Sequence, residues 1–169
     1  LVEKINQSVW RALFTKRMLI CIFTGFSSGL PLYILIQLLP AWLRSEQVDL
    51  KAIGFSAFPQ LPYNWKFLWS PLLHRYAIPL FGRRRGWILV TQILLLISIP
   101  VFGYFHPKLD LWTIAYLATA VAFFSASQDI VLDAYRREIL SDTELGLGNS
   151  VHVNAYRVAG LVPGSLALI

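Results

Sequence analysis

Charge is what this sequence has least of. Only 14% of its 169 residues are Asp, Glu, Lys or Arg, against roughly 25% in a soluble domain. A chain so short of polar groups cannot cover a water-facing exterior, and 56% of it is hydrophobic, gathered in long blocks instead of alternating stripes. A soluble globular domain is excluded and a membrane domain implied. Cysteine is nearly missing as well: the single Cys21 excludes an intrachain disulfide and, with no ligand or activating group nearby, reads as packing. The three histidines, His74, His106 and His152, fall in connections or at a span end and share no site. No Ser/His/Asp grouping, His/Cys ligand cluster or phosphate-binding glycine loop occurs at usable spacing, which argues against an enzyme, a metal or a cofactor.

What is present is five apolar blocks: residues 18–43, 52–73, 87–105, 111–132 and 147–169. Each approaches or exceeds the ~20 residues that cross about 30 Å of hydrocarbon as a helix. The expected fold is therefore all-α, a polytopic transmembrane helix bundle, with residues 1–169 forming a single membrane domain. The first block lacks a small-residue cleavage site and is too long for a signal-peptide core, so it is expected to be retained. The last block stops without flanking charge, which predicts part of a longer protein truncated in helix 5.

Lys and Arg near the spans give the orientation, because cytoplasmic segments carry their excess. Lys4, Arg11, Lys16, Arg17, Arg75, Arg83, Arg84, Arg85, Arg136 and Arg137 fall on one side, and only Arg44, Lys51 and Lys108 on the other. Ten against three predicts a cytoplasmic N-terminus. The net charge of +6 follows from this topology. It is spread over three short connections, which excludes a nucleic-acid-binding face. Asp49 and Asp110 precede spans and are expected to cap them, and Ser141 with Glu144 has capping-box spacing before the fifth.

Four ionisable residues fall inside spans, where insertion scales charge about 2.5–3.5 kcal/mol each near a helix centre. These are Lys66, Asp129, Asp133 and Arg157. Counting ~1.5 Å per residue from the basic ends puts Lys66, Asp129 and Arg157 at similar depth. They form the expected charged centre for proton coupling, facing a cavity, with the surplus cation free for an anionic ligand. A fixed ion pair between helices 4 and 5 is the structural alternative. Asp133 lies one turn nearer the basic end, within reach of Arg136, Arg137 and the arginines of the second connection. Tyr63, Asn64 and Trp65, beside Lys66 in a proline-bent helix, are candidates for lining a substrate cavity, as is Gln128 beside Asp129. Pro59, Pro62 and Pro163 bend helices that are expected to open and close. Gly25 with Gly29, and Gly160 with Gly164, have the spacing that lets membrane helices approach closely.

The stretch "SPLLHRYAIPLFGRRRGW", residues 70–87, resembles the cytoplasmic loop between helices 2 and 3 of major facilitator superfamily transporters. Arg75, Gly82, Arg83, Arg84 and Arg85 match the basic portion of that motif, while Ser70 stands at the usual glycine and His74 at the usual aspartate. Together with "GFSSGLPL", "KFLWSPL" and "SASQDIVLDAYR", the chain is similar over essentially all its length to the AmpG-type muropeptide permeases. The resemblance implies about five helices of the N-terminal six-helix half of a twelve-helix bacterial inner-membrane permease. It implies proton-driven import of anhydromuropeptides, anionic sugar-peptides, for peptidoglycan recycling and β-lactamase induction, by a monomer surrounded by membrane lipid. It also implies a cytoplasmic gate, to which we assign His74, Arg75, Arg83, Arg84, Arg85, Asp133 and Arg136. A neutral histidine at the aspartate position weakens the charge-based latch, and a protonated one reverses its sign. Two other readings compete: a permease for another anionic solute, acyl-CoA-like or nucleotide-like, and a non-transporting membrane paralogue or sensor.

Overall fold

The computed structural model describes residues 14–49, 59–76 and 82–167. Lys4, Arg11, Lys51, residues 50–58, residues 77–81 and residues 168–169 lie outside these segments, as does the side chain of Arg83. The start of the helix expected after Asp49 is therefore not described.

Among the described residues every regular element is a helix. The first, α1 (Lys16–Tyr33), starts where the Thr15 hydroxyl accepts from the Met18 amide at 3.4 Å. Pro31 cannot donate within it, and a wider π turn follows at Ile34–Leu38 before α2 (Leu39–Ser45) resumes the same direction. Pro59 precedes α3 (Gln60–Trp65), a 3-10 turn spans Lys66–Leu68, and α4 (Ser70–Arg75) follows. Pro62, expected to bend this stretch, lies inside α3, and among the described residues the break falls just before Pro71, which disfavours helical geometry at Ser70 and cannot bond the Phe67 carbonyl. The helix α5 (Arg83–Val101) runs into a 3-10 turn at Phe102–Tyr104. The longest, α6 (Leu111–Ile139), precedes α7 (Leu145–Ala159) and α8 (Leu161–Leu166), which part at Gly160 because Pro163 cannot bond the Ala159 carbonyl.

Three of these rods, Lys16–Ser45, Arg84–Tyr104 and Leu111–Ile139, are long and apolar enough to cross a membrane. The last begins where its apolar block begins but continues seven residues past Leu132. Hydropathy marks where lipid-compatible residues stop, and nothing about Asp133, Arg136 or Arg137 stops a helix.

At the centre of the bundle, α6 touches α1, α3, α4 and α5. Ala118, Ala122, Ser125 and Ala126 are buried on it, and such small side chains let neighbouring backbones come close. The pairing of α1 with α7 is tighter still. A Cβ on Gly29 would lie 2.5 Å from the Tyr156 carbonyl oxygen, and one on Gly25 would collide with the His152 carbonyl oxygen. In return, a Cβ on Gly160 would lie 2.9 Å from the Tyr33 ring and one on Gly164 3.0 Å from Gln37 Oε1. Gly25 and Gly29 thus let α1 approach α7, while Gly160, at the junction of α7 and α8, and Gly164 of α8 make room for Tyr33 at the end of α1 and Gln37 of the π turn.

Two caps differ from the sequence reading. Asp110 precedes α6, but its carboxylate turns back to accept from the His106 amide at 3.1 Å and makes no cap bond to the helix. At α7, Glu144 supplies half of the box: its Oε2 accepts from the Ser141 amide at 3.1 Å and the Ser141 hydroxyl at 2.8 Å. The same oxygen pairs with Arg17 at 2.8 Å and so ties the start of α1 to the start of α7.

The Ser141 hydroxyl and amide, and then Arg17, hold the Glu144 carboxyl below the usual carboxylate range. A depressed value means that the stabilisation is present above the unfolded-state value and is lost as pH falls through the folded-state value. Glu144→Gln should therefore lower the melting temperature of the detergent-solubilised protein at neutral pH. The difference from wild type should close below about pH 4; a gap of constant size at every pH would show that charge plays no part.

Candidate functional site

One end of the bundle collects the basic residues. Arg84, at the start of α5, donates from Nε to Glu138 Oε1 at 2.9 Å and lies with Nη1 2.6 Å from His74 Nδ1 at the end of α4. A guanidinium has no acceptor, so Nδ1 must accept, which only the neutral imidazole can do. Histidine in the aspartate position therefore still engages an arginine, through a hydrogen bond in place of an ion pair. Arg136 donates to Asp133 Oδ1 and to Asn149 Oδ1, both at 2.9 Å, and thereby joins α6 to α7. Of the expected gate residues, His74 and Arg84 come together, as do Asp133 and Arg136. Arg75 and Arg85 are exposed and make no ion pair among the described residues.

Deeper in α6, Asp129 is half-buried and accepts at Oδ1 from the hydroxyl of Ser28, a buried residue of α1. Among the described residues it makes no ion pair. Lys66 is close enough for its charge to bear on Asp129. Its side chain lines a cavity of ≈ 420 Å³ between the α3–α4 stretch and α6, together with Ser70, His74, Asp133 and Arg137. Arg157 stands on an exposed position of α7, with no side-chain partner among the described residues. The three charges expected at one depth are thus distributed: Asp129 on Ser28, Lys66 in the cavity with Asp133 and Arg137, and Arg157 on the outside of α7.

The cavity candidates divide in the same way. Tyr63 is half-buried against the core, whereas Asn64 and Trp65 are exposed, the tryptophan by 59%. Gln128 is fully buried on the other flank of α6, where Nε2 donates to Gln92 Oε1 at 2.7 Å and Ser27 Oγ at 3.2 Å. It lines a separate cavity of ≈ 390 Å³ with Ser27, Arg85 and Gln92. Trp69 fixes the α3–α4 stretch to α6, donating to Ser127 Oγ at 3.1 Å with its ring centroid 4.8 Å from that of Phe123.

Sequence reasoning missed Ser28, Glu138 and Asn149. Each is a partner supplied by another helix. Ser28 stands inside "GFSSGLPL", between the two glycines that mark the close helix contact.

A family model described as Acetyl-coenzyme A transporter 1 matches residues 17–157. An uncharacterized protein of Haemophilus influenzae is 55% identical over 164 residues, 97% of this chain and 39% of that protein. The anhydromuropeptide permease of Escherichia coli K12 is 49% identical over 152 residues, 90% of this chain and 31% of that protein. The chain thus spans 31–39% of the length of these relatives. The functional names among these matches are those of transporters, not enzymes. With its membrane-length helices and basic loop, the chain belongs to the AmpG-like transporter family of the major facilitator superfamily.

Proposed function

We propose that the full-length protein imports anhydromuropeptides across the bacterial inner membrane, from periplasm to cytoplasm, by proton symport for peptidoglycan recycling. In this reading it works as a monomer with its N-terminus in the cytoplasm. The E. coli relative's name supports the substrate, and the collection of basic side chains at one end supports the orientation.

The observation that carries proton coupling is Asp129: a carboxylate inside a membrane-length helix, on a serine hydroxyl, with no ion pair among the described residues. The cost of its charge in the membrane is only partly offset, so gaining or losing a proton changes what the helices around it must accommodate. When it is ionised, the field of Lys66 is shared with it. Once it is protonated, Lys66 at the cavity wall is freer to hold a carboxylate of the substrate.

Uptake of labelled anhydromuropeptide into proteoliposomes tests this. An inward gradient of one pH unit should support roughly tenfold accumulation per proton coupled, and dissipating it should abolish accumulation. Absence of uptake under either condition would reject the proposal.

A second reading, transport of an acyl-CoA-like anion, is favoured by the description of the family model. Competition by unlabelled acetyl-CoA separates the two. Inhibition of muropeptide uptake at similar concentration would favour the broader anion permease.

A further inference from the structure

We infer that Ser28 is the positioning residue for Asp129, and that the bond between them is the joint through which proton binding moves α1 relative to α6. The inference rests on the proton-coupled reading above. Ser28 is only 3% exposed, and its hydroxyl donates across the α1–α6 seam to Asp129 Oδ1. An ionised carboxylate only accepts, so the serine proton must point at it; a protonated carboxyl brings its own O–H and becomes a weaker acceptor. The bond is then either weakened to a neutral one, roughly half as strong, or reversed so that Ser28 accepts.

The neighbouring contact cannot respond in this way. Ser27 bonds Gln92 and Gln128, none of which titrates. The charged and titratable groups around Asp129 are Lys66 and Tyr63 from the α3 side, Tyr156 from α7, and Asp133 and Arg136 from its own helix. Among the described residues, Ser28 alone is both hydrogen-bonded to it and carried by α1. On that helix it lies next to Gly29, whose backbone rests on Tyr156 of α7. A change at the serine is thereby delivered to the tightest helix pair in the bundle.

The test measures gradient-driven uptake by the full-length protein in proteoliposomes as a function of pH, for wild type, Ser28→Ala, Ser28→Cys and Ser28→Thr. Removing a donor from a carboxylate disfavours its ionised form. The pH at which uptake falls to half should therefore rise by about one unit in Ser28→Ala, and by less in Ser28→Cys, a similar-sized side chain with a weaker donor. It should return to the wild-type value in Ser28→Thr. If Ser28→Ala does not fold, the cysteine variant decides. A wild type indifferent to the gradient would overturn the transport reading and this inference with it. A gradient-dependent wild type whose pH profile is unchanged by Ser28→Ala or Ser28→Cys would overturn the inference alone.

Discussion

Asp129→Asn should reduce proton-driven uptake to roughly a hundredth of wild type or below, while the protein accumulates in the membrane at normal levels. Asparagine has nearly the size and shape of aspartate, and its Oδ1 can still accept from the Ser28 hydroxyl that the structure places there. What it cannot do is change charge. The variant therefore imitates the protonated state permanently, and Lys66 loses the anion whose appearance and disappearance would govern its availability to substrate. Folding should not suffer, because removing a half-buried charge from a membrane-spanning helix lowers its burial cost.

The same argument predicts a split between two assays. Exchange of substrate across the membrane without a gradient needs the cavity but no net proton movement, and should survive in Asp129→Asn; accumulation against a gradient should not. Normal gradient-driven accumulation by this variant would reduce Asp129 to a packing role. Loss of exchange and accumulation together, with normal membrane levels, would assign it to substrate binding instead.

The location of Asp129 could be read from the sequence more easily than its partners could. The i, i+4 spacing of Asp129 and Asp133 and the run of apolar residues before them identify two acids on one stripe of a membrane helix, and counting residues from the basic end separates their depths. Partners, however, come from other helices, and depth says nothing about rotation about a helix axis. Lys66 and Arg157 therefore looked equivalent in depth, yet Lys66 faces a cavity and Arg157 stands exposed on α7. Adjacency in sequence likewise does not put Gln128 on the face of Asp129. One residue is about 100° of turn in an α-helix, enough to carry Gln128 to the opposite flank and into the Gln92 network.

Local rules fared better where the governing physics is local. Pro163 coincides with the break between α7 and α8, and the spacing of Gly25 and Gly29 marks the close contact of α1 with α7. The cap at Asp110 failed because a second local partner, the His106 amide, takes the same carboxylate. At His74 the resemblance to the loop motif identified a departure in charge. Only the meeting of three helix ends shows that Arg84 bridges it to Glu138.

Gly25→Val should remove folded protein from the membrane altogether. The obstacle at Gly25 is the backbone of His152, and at Gly29 it is the backbone of Tyr156 together with Ala159 Cβ at 3.1 Å. A flexible side chain could rotate away from an added methyl group; a helix backbone can yield only if the whole of α7 moves. Overpacking of an ordinary core costs about 1–3 kcal/mol, and here the displacement would also open the reciprocal contacts of Gly160 on Tyr33 and Gly164 on Gln37. Because lipid supplies no hydrophobic drive to reassemble the pair, loss of close contact is not made good elsewhere. Even Gly25→Ala should lower the melting temperature sharply. Gly103→Ala is the control, since a Cβ there meets nothing within 4 Å, and it should behave as wild type. The measurement is monodisperse yield by size exclusion after mild detergent extraction, followed by thermal unfolding. Equal yields and melting temperatures for Gly25→Val and Gly103→Ala would mean that α1 and α7 are not held as closely as this, and the route from the Ser28 hydroxyl to α7 would lose its second half.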